Sequence, residues 1–225
     1  IERAAFIDSV RRADGRRNVL VLDAGDISQG SSYFTLLEGF LESSIVRDMG
    51  VDAMSLGNHE FDNGPMALAG RLKLQRPVKV VCANYDFGSL EIARHINPYA
   101  IFRRGGFKIG VIGLLPDISS LVQQEHQSSL TALNTPEVVG ALAMELREKK
   151  HCDLVICLTH LGYEREKYCD TALAAETRGV DIIVGGHSHT FLDSAVTVNN
   201  LDGDPVTIVT DGCWGEYVGV LKISK

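Results

Sequence analysis

Four loops of the sequence contain side chains of the kinds that bind divalent metal ions. Each loop follows a short aliphatic run, and the side chains belong to Asp26, Asn58, His59, His160, His187 and His189. Open α/β sheets bind ligands at the carboxyl ends of their strands, so strands that are adjacent in a sheet would bring these loops together. Oxygen and imidazole ligands without thiolate suit Zn, Mn, Fe, Co or Ni and leave the metal's identity open. The sequence therefore predicts a metal centre at that edge.

The spacing within the loops indicates how two ions could share these ligands. Asp26 has two carboxylate oxygens and could bridge two cations, which lie about 3.5–4 Å apart in two-metal phosphatases. In an extended backbone His187 and His189 point to the same side, so we expect them to reach two neighbouring ions. Asn58 offers a neutral carbonyl oxygen as a further ligand.

The residue after Asn58 is predicted to act on the substrate rather than on a metal. His59 should project in a different direction from Asn58, which leaves its imidazole free. Asp62 lies three residues further on, close enough in a turn or helix start to keep that imidazole protonated as a general acid. The other histidines, His95, His126 and His151, are interpreted as ordinary polar side chains.

The elements that must position these loops alternate between helix and strand. Helices are predicted over the first dozen residues and over 36–49, 66–74, 135–150 (with Thr135 as N-cap) and 171–176. Strands are predicted over 19–22, 53–56, 78–83, 154–158, 181–184, 195–198 and 206–209, with a hairpin at 101–112 and further β-hairpin material at 217–223. This pattern indicates a layered α/β domain with mixed sheets that occupies residues 1–225. We expect Cys82, Cys157 and Trp214 in the core.

Composition excludes several classes of protein. The chain has 22 Lys and Arg against 29 Asp and Glu, a formal charge of −7, which argues against a nucleic acid polymer as the main partner. No apolar run reaches the roughly 18 residues needed to span a bilayer. There is no P-loop, no GxGxxG motif and no GxSxG elbow, which disfavours those nucleotide sites and a Ser/His/Asp hydrolase.

The motifs together resemble those of a known superfamily. Gly25-Asp26, Gly57-Asn58-His59-Glu60, Thr159-His160 and Gly186-His187-Ser188-His189, in that order, resemble the calcineurin-like metallophosphoesterases. The longer strings VLDAGDISQGSSYF, LGNHEFDNG and DIIVGGHSHTF are similar to the metallophosphatase domain of the 5'-nucleotidase family. The resemblance covers most of the chain and implies a four-layer α/β/β/α sandwich.

The resemblance also implies roles for the loop residues. Asp26 would bridge two divalent metal ions, with Asn58, His160 and His187 on one ion and His189 on the other. The pair His59 and Asp62 would stabilise the transition state while a metal-bound hydroxide attacks the phosphorus. The implied activity is hydrolysis of nucleotide phosphate esters, with AMP-like 5'-phosphates as the first expectation.

The sequence departs from the family pattern at both ends. The Asp-x-His motif that supplies further ligands to the ion of His189 does not occur. We therefore expect truncation at the N-terminus, no signal peptide in this chain and one incomplete metal site. We also expect the family's C-terminal nucleotide-binding domain to be missing after Lys225, either because it has been removed or because another chain supplies it. By the same resemblance the protein is expected to be periplasmic, secreted or at the cell surface.

Two other interpretations stay open from the sequence. Within the enzymes, the same two-metal chemistry serves cyclic-nucleotide phosphodiesterases and nucleotide-sugar pyrophosphatases. Outside them, the chain could be a non-catalytic metal- or nucleotide-binding domain with an incomplete dinuclear site.

Overall fold

The computed structural model describes residues 1–224 as two main β-sheets covered by helices. The helices are α1 (Glu2–Asp14), α2 (Ser32–Leu37), α3 (Phe40–Asp48), α4 (Gly64–Leu74), α5 (Gln124–Gln127), α6 (Thr135–Met144) and α7 (Asp170–Glu176). The strands are β1 (Leu22–Asp23), β2 (Ala53–Ser55), β3 (Lys79–Val81), β4 (Tyr85–Asp86), β5 (Ile96–Asn97), β6 (Tyr99–Arg104), β7 (Phe107–Leu114), β8 (Thr131–Ala132), β9 (Leu154–Thr159), β10 (Ile182–Val184), β11 (Val196–Asn199) and β12 (Pro205–Val209). None of the helices in this part of the chain is long and apolar enough to cross a membrane.

The two large sheets are built mostly from parallel strands. The first has the order β1-β2-β3-β5, and all of its pairs are parallel. The second has the order β11-β12-β10-β9-β7-β6, with parallel pairs in the middle and an antiparallel pair at each edge. Strands β4 and β8 form a small separate sheet. Because β1, β2, β9 and β10 are all parallel strands, the loops that follow them can meet at one end of the molecule.

Alternation along the strands places the core in three clusters between four layers. In β2, Ala53 packs in the cluster between the two sheets, whereas Met54 packs with Leu68 of α4. In β9, Ile156 faces the other sheet and Cys157 packs in the cluster that contains α6 and α7. A period of two is the pattern of strands covered on both faces. The four-layer α/β/β/α sandwich with mixed sheets is thereby confirmed, as is the burial of Cys82 and Cys157.

Most predicted strands begin and end within two residues of the observed ones, but the first is shorter than expected. The pattern predicts a strand over 19–22, whereas β1 covers only Leu22–Asp23. The backbone N–H of Val21 donates to the Asp52 carboxylate, and the Val21 carbonyl accepts from the Asp52 N–H. The Asp52 side chain thus accepts the hydrogen bond that a neighbouring strand would accept from Val21. Pairing with β2 therefore begins at Leu22, one residue after Val21.

The helix predicted over 36–49 is wrong as a single element. Glu38 and Gly39 both have left-handed backbone conformations, with φ of 50° and 83°, and they separate α2 from α3. A methyl group at Gly39 would overlap the buried Arg71 side chain, so this break lets α4 approach closely. The helix predicted over 135–150 also differs, since α6 ends at Met144 and continues as a π-helix over Glu145–Lys149. Its N-cap is Asn134 rather than Thr135.

Two predictions near the C-terminal end are also wrong. Residues 217–223 pair with no other strand among residues 1–224, and a hydrogen bond from the Gly219 N–H to Asp211 ties this segment to the preceding loop. Trp214 is 82% exposed rather than part of the core. Its backbone has a φ of 57°, and its ring turns an edge to His189 with 6.0 Å between ring centroids.

Candidate active site

The predicted ligand loops meet at the carboxyl ends of strands from both sheets. Asp26 follows β1, and Asn58 begins a short 3-10 helix (Asn58–Phe61) after β2. His160 follows β9 directly, and His187 follows β10. One ligand atom each from Asp26, His160 and His187 lie within 4.8 Å of one another. This convergence of a carboxylate and two imidazoles would suit a divalent cation.

His160 is oriented to present one ring nitrogen to this group. Its Nδ1 lies 2.7 Å from the carbonyl oxygen of Ala24, so Nδ1 carries the proton and donates to that oxygen. Its Nε2 lies 2.7 Å from Asp26 Oδ2. Metal-binding histidines commonly use their second ring nitrogen in this way, because the hydrogen bond fixes the tautomer and the ring orientation.

The hydrogen bond between Asp26 and His160 shifts the pKa of both groups. Burial opposes charge on both groups, but their hydrogen bond prevails and holds the pKa of Asp26 below its usual value. The same hydrogen bond, against burial, raises the pKa of His160. For His187, burial and the neighbouring positive His160 lower the pKa, which favours the neutral imidazole that binds metal.

Asn58 gives an independent test of whether these residues fit a metal. The side chain is 5% exposed, and its Oδ1 is buried with no hydrogen-bond partner among residues 1–224. An unpartnered buried carbonyl oxygen costs free energy, and a cation ligated by that oxygen would compensate for it. The donor set and this free oxygen therefore fit the predicted ligand role.

The backbone at the site differs from the extended form expected for the fourth loop. His187 and His189 have φ values of 71° and 54°, which lie in the left-handed region. The two histidines therefore do not lie in an extended strand, and the prediction that they point to the same side of one is wrong. His187 belongs to the converging group, whereas His189 is exposed and lies outside it. Asp26 also has a positive φ, 57°, and strained positions of this kind are frequent at functional sites.

The expected contact between His59 and Asp62 is present. His59 Nδ1 lies 2.9 Å from Asp62 Oδ2, and the two side chains are 35% and 25% exposed. The backbone N–H of His59 donates to Asp26 Oδ1 at 2.9 Å, which attaches this pair to the converging group. Within residues 1–224 the His59 Nε2 has no hydrogen-bond partner, so this atom is available for a further contact beside the converging side chains.

Glu60, the last residue of the Gly57-Asn58-His59-Glu60 motif, is a further site residue whose role was not predicted. It is buried, and its two carboxylate oxygens accept backbone N–H bonds from Asp26 at 2.8 Å, Ile27 at 3.1 Å and Gly57 at 2.6 Å. Burial and the nearby Asp26 charge raise the pKa of Glu60 to about 7, although the N–H groups favour its ionised form. Its place at the third position of the short helix after Gly57 is a capping signal that could have identified it.

Arg71 supports the same two loops from behind and was not predicted. Arg71 is a buried residue of α4. Its guanidinium donates to Ser28 Oγ at 2.9 Å and also to the carbonyl oxygen of Glu60. Ser28 lies two residues after Asp26, and Glu60 lies next to His59. The Arg71 guanidinium thus connects the loop after β1 with the turn that carries His59.

Fold and site together define a four-layer α/β protein with a candidate metal centre at the strand ends of two sheets. A family model described as calcineurin-like phosphoesterase matches residues 2–191. This chain therefore belongs to the calcineurin-like phosphoesterase family, which confirms the resemblance inferred from the motifs.

Named relatives refine this assignment. The chain is 33% identical to a 5'-nucleotidase of Rattus norvegicus over 92% of its own length and 38% of that protein. It is 29% identical to a trifunctional nucleotide phosphoesterase of Bacillus subtilis, over 95% of the chain and 16% of that protein. The solved 5'-nucleotidase precursor from Thermus thermophilus superimposes with a TM-score of 0.85 at 35% identity, over 95% of this chain and 43% of that one. The chain thus spans less than half the length of these relatives.

Proposed function

We propose that this chain is the metal-binding, hydrolytic part of a metal-dependent phosphomonoesterase that releases phosphate from nucleotide 5'-phosphates. The observation that carries the proposal is the convergence of Asp26, His160 and His187 beside the His59–Asp62 pair. The similarity to proteins named 5'-nucleotidase supports the choice of substrate.

The proposed ligand assignment follows the predicted one. Asp26, Asn58, His160 and His187 would hold the first divalent cation, and Asp26 and His189 would hold the second. Divalent cations at such a site neutralise phosphate oxygens and lower the pKa of water. We propose that the first cation binds tightly and the second weakly, because His189 lies outside the converging group.

The chain's own residues then orient the ester and manage the proton of the leaving group. Asp62 accepts a hydrogen bond from His59 Nδ1 and so directs Nε2 towards the substrate. A protonated His59 donates from Nε2 to the leaving oxygen, which stabilises the negative charge that develops there. The imidazole of His59 is 35% exposed and so is accessible to an entering nucleotide.

Hydrolysis of AMP by the full-length protein in the presence of Mn²⁺ tests this function. We expect release of adenosine and phosphate, and a turnover number about 10²- to 10⁴-fold lower in His59→Ala. His151→Ala, an exposed histidine away from the loops, is the matched control and should keep wild-type turnover. Wild-type turnover in His59→Ala would refute the proposed role of the pair.

The substrate panel also separates the alternatives. Cyclic AMP and a nucleotide sugar test the phosphodiesterase and pyrophosphatase interpretations, and the resemblance to a Haemophilus influenzae NAD nucleotidase, 26% identical with a TM-score of 0.80, justifies including NAD. Nucleotide binding without hydrolysis of any of these would favour the non-catalytic module. We also propose that a separate domain binds the nucleoside, and the greater length of the matched relatives supports this.

We further propose that the protein acts outside the cytoplasm. The Thermus thermophilus relative is named a precursor, which suits an exported protein. Recovery of the full-length protein in the periplasmic or extracellular fraction of its source cells is the expected result. Recovery in the cytoplasm alone would contradict this location.

A further inference from the structure

A buried carboxylate that the proposed site does not use lies behind two of its histidines. Asp170, the first residue of α7, is 0% exposed. Its Oδ1 accepts a hydrogen bond from Thr159 Oγ1 at 2.5 Å. Its Oδ2 is also buried, and no hydrogen-bond partner for this oxygen occurs within residues 1–224.

The two sides of this carboxylate touch the ends of two adjacent strands. Thr159 is the last residue of β9, and His160 follows it. Gly185 is the first residue after β10, two positions before His187, and a methyl group there would overlap Asp170 Oδ2. The carboxylate therefore fills the space between the two backbone segments that lead into the histidines.

A purely structural filler would not need to be ionisable. Burial raises the pKa of Asp170 to about 7, whereas the Thr159 hydrogen bond and the positive charge of His160 act in the opposite direction. A side chain of this volume without polar atoms would avoid the cost of burying an unpartnered oxygen. Asp170 also complements the dipole of α7, but an exposed carboxylate in the first turn would do so equally well.

We propose that Asp170 is a positioning residue that sets the distance and orientation between His160 and His187, so that metal affinity depends on it. The proposal rests on the proposed function in that both histidines are ligands of one cation. Asp170 itself touches neither the cation nor the substrate. It acts through Thr159 on one strand and through Gly185 on the other.

Cobalt binding tests this role without reference to turnover. The full-length protein, stripped of metal by a chelator, is titrated with Co²⁺, and affinity and the visible absorption spectrum are recorded. In Asp170→Asn and Thr159→Val we expect Co²⁺ affinity to fall about 10- to 100-fold, with a changed spectrum. Thr159→Ser keeps the donor hydroxyl and should restore both.

Asp181→Asn is the matched control at the opposite end of β10. Its carboxylate accepts hydrogen bonds from the Arg147 guanidinium and from the Val155 N–H, away from the histidines. This variant should lose stability but bind Co²⁺ with wild-type affinity and spectrum. An equal loss of affinity in Asp181→Asn would reduce the effect at Asp170 to general destabilisation and overturn the proposal.

The remaining outcomes also decide the question. Wild-type Co²⁺ affinity and spectrum in both Asp170→Asn and Thr159→Val would refute the positioning role. If Asp170→Ala fails to fold, these two volume-preserving variants carry the test. Weakened Co²⁺ binding in a protein that hydrolyses no phosphate ester would sustain the role of Asp170 while the proposed function fails, and absence of Co²⁺ binding by the wild type would overturn both.

Discussion

The Glu60 carboxylate accepts a hydrogen bond from the backbone N–H of Asp26 at 2.8 Å, although 34 positions separate the two residues. Its other bonds go to Ile27 and to Gly57. Hydrogen bonds to one buried carboxyl group therefore connect the loops after β1 and β2. The ligand side chain of Asp26 is held by the segment that carries Asn58 and His59.

Replacing Glu60 by Gln should weaken both the fold and metal binding. The amide offers one acceptor oxygen instead of two, so at least one buried N–H loses its partner at a cost of about 1–3 kcal/mol. Urea unfolding of metal-free protein measures this cost, and Mn²⁺ titration measures affinity. Glu148→Gln, an exposed carboxylate in the π-helix, should leave both unchanged. Wild-type stability in Glu60→Gln would contradict the interpretation that both oxygens of the Glu60 carboxyl group are needed to hold the two loops together.

Asn58 and Asn84 provide a matched pair of buried amides with different partners. Asn84 Oδ1 accepts from the Leu115 N–H, and its Nδ2 donates to the Leu115 carbonyl, whereas Asn58 Oδ1 has no partner in the described chain. Without metal, Asn84→Ala should therefore destabilise the folded protein by about 1–3 kcal/mol more than Asn58→Ala, because it leaves the N–H and the carbonyl of Leu115 without their partner.

The order should reverse when metal is added. The rise in melting temperature on adding Mn²⁺ should disappear in Asn58→Ala and persist in Asn84→Ala, because ligand binding stabilises only a folded state that can bind. Thermal scans with and without Mn²⁺ measure both effects. An undiminished Mn²⁺ shift in Asn58→Ala would exclude its carbonyl oxygen as a ligand.

Asp62→Asn should reduce turnover while metal affinity stays at the wild-type value. The amide can keep contact with His59 Nδ1 but no longer stabilises a positive imidazolium. The loss in kcat should be smaller than the roughly 10²- to 10⁴-fold loss for His59→Ala, because the proton donor itself is still present. Steady-state AMP hydrolysis at saturating Mn²⁺ measures both. A double variant no worse than His59→Ala alone is expected, since the two residues act as one unit.

Asp170 predicts a pH dependence of stability in the metal-free protein. Burial raises its folded-state pKa from 3.8 to about 7. Between about pH 4 and pH 7 the folded chain binds a proton that the unfolded chain has lost, so this residue makes the free energy of unfolding fall as pH rises. Asp170→Asn removes that decline, and urea unfolding across the range should show the variant gaining on the wild type as pH increases.

A residue with the opposite shift serves as the control. The backbone N–H and side chain of Ser119 lower the pKa of Asp117 below 3.8. Its contribution to stability is present above the unfolded-state pKa and is lost as pH falls through the folded-state value. Asp117→Asn should therefore be less stable than the wild type at neutral pH, and this difference in the free energy of unfolding should disappear only in strong acid. Parallel pH profiles for wild type and Asp170→Asn would show that the Asp170 carboxyl titrates normally.

The sequence predicted what depends on local periodicity and on strand ends. Aliphatic runs such as 154–158 fixed the parallel strands, and parallel strands place their following loops together, which brought Asp26, His160 and His187 into one group. The three-residue spacing of His59 and Asp62 was sufficient for their contact, because it spans one turn of helix.

What the sequence could not predict depends on contacts between distant segments. The break at Gly39 has a local signal, because glycine readily adopts the left-handed conformation that ends a helix. The close approach of the Arg71 side chain to Gly39 depends on a residue 32 positions later, which no local pattern predicts. The roles of Glu60 and Asp170 similarly come from backbone groups and side chains of other loops. Trp214 is exposed in spite of its apolar character, and nothing in its local sequence indicates this.

The candidate ligands come from both sheets, with Asp26 and Asn58 on the first and His160 and His187 on the second. The two sheets pack over an apolar interface, and a few hydrogen bonds also cross between them, among them the one that Ser55 Oγ of β2 donates to the Leu114 carbonyl of β7 at 3.0 Å. A cation shared by Asp26 and His160 would add a further link between the sheets at the carboxyl ends of their strands. Metal loss would then remove one of the links between the sheets, so amide hydrogen exchange should become faster in β2 and β9 together rather than in the ligand loops alone.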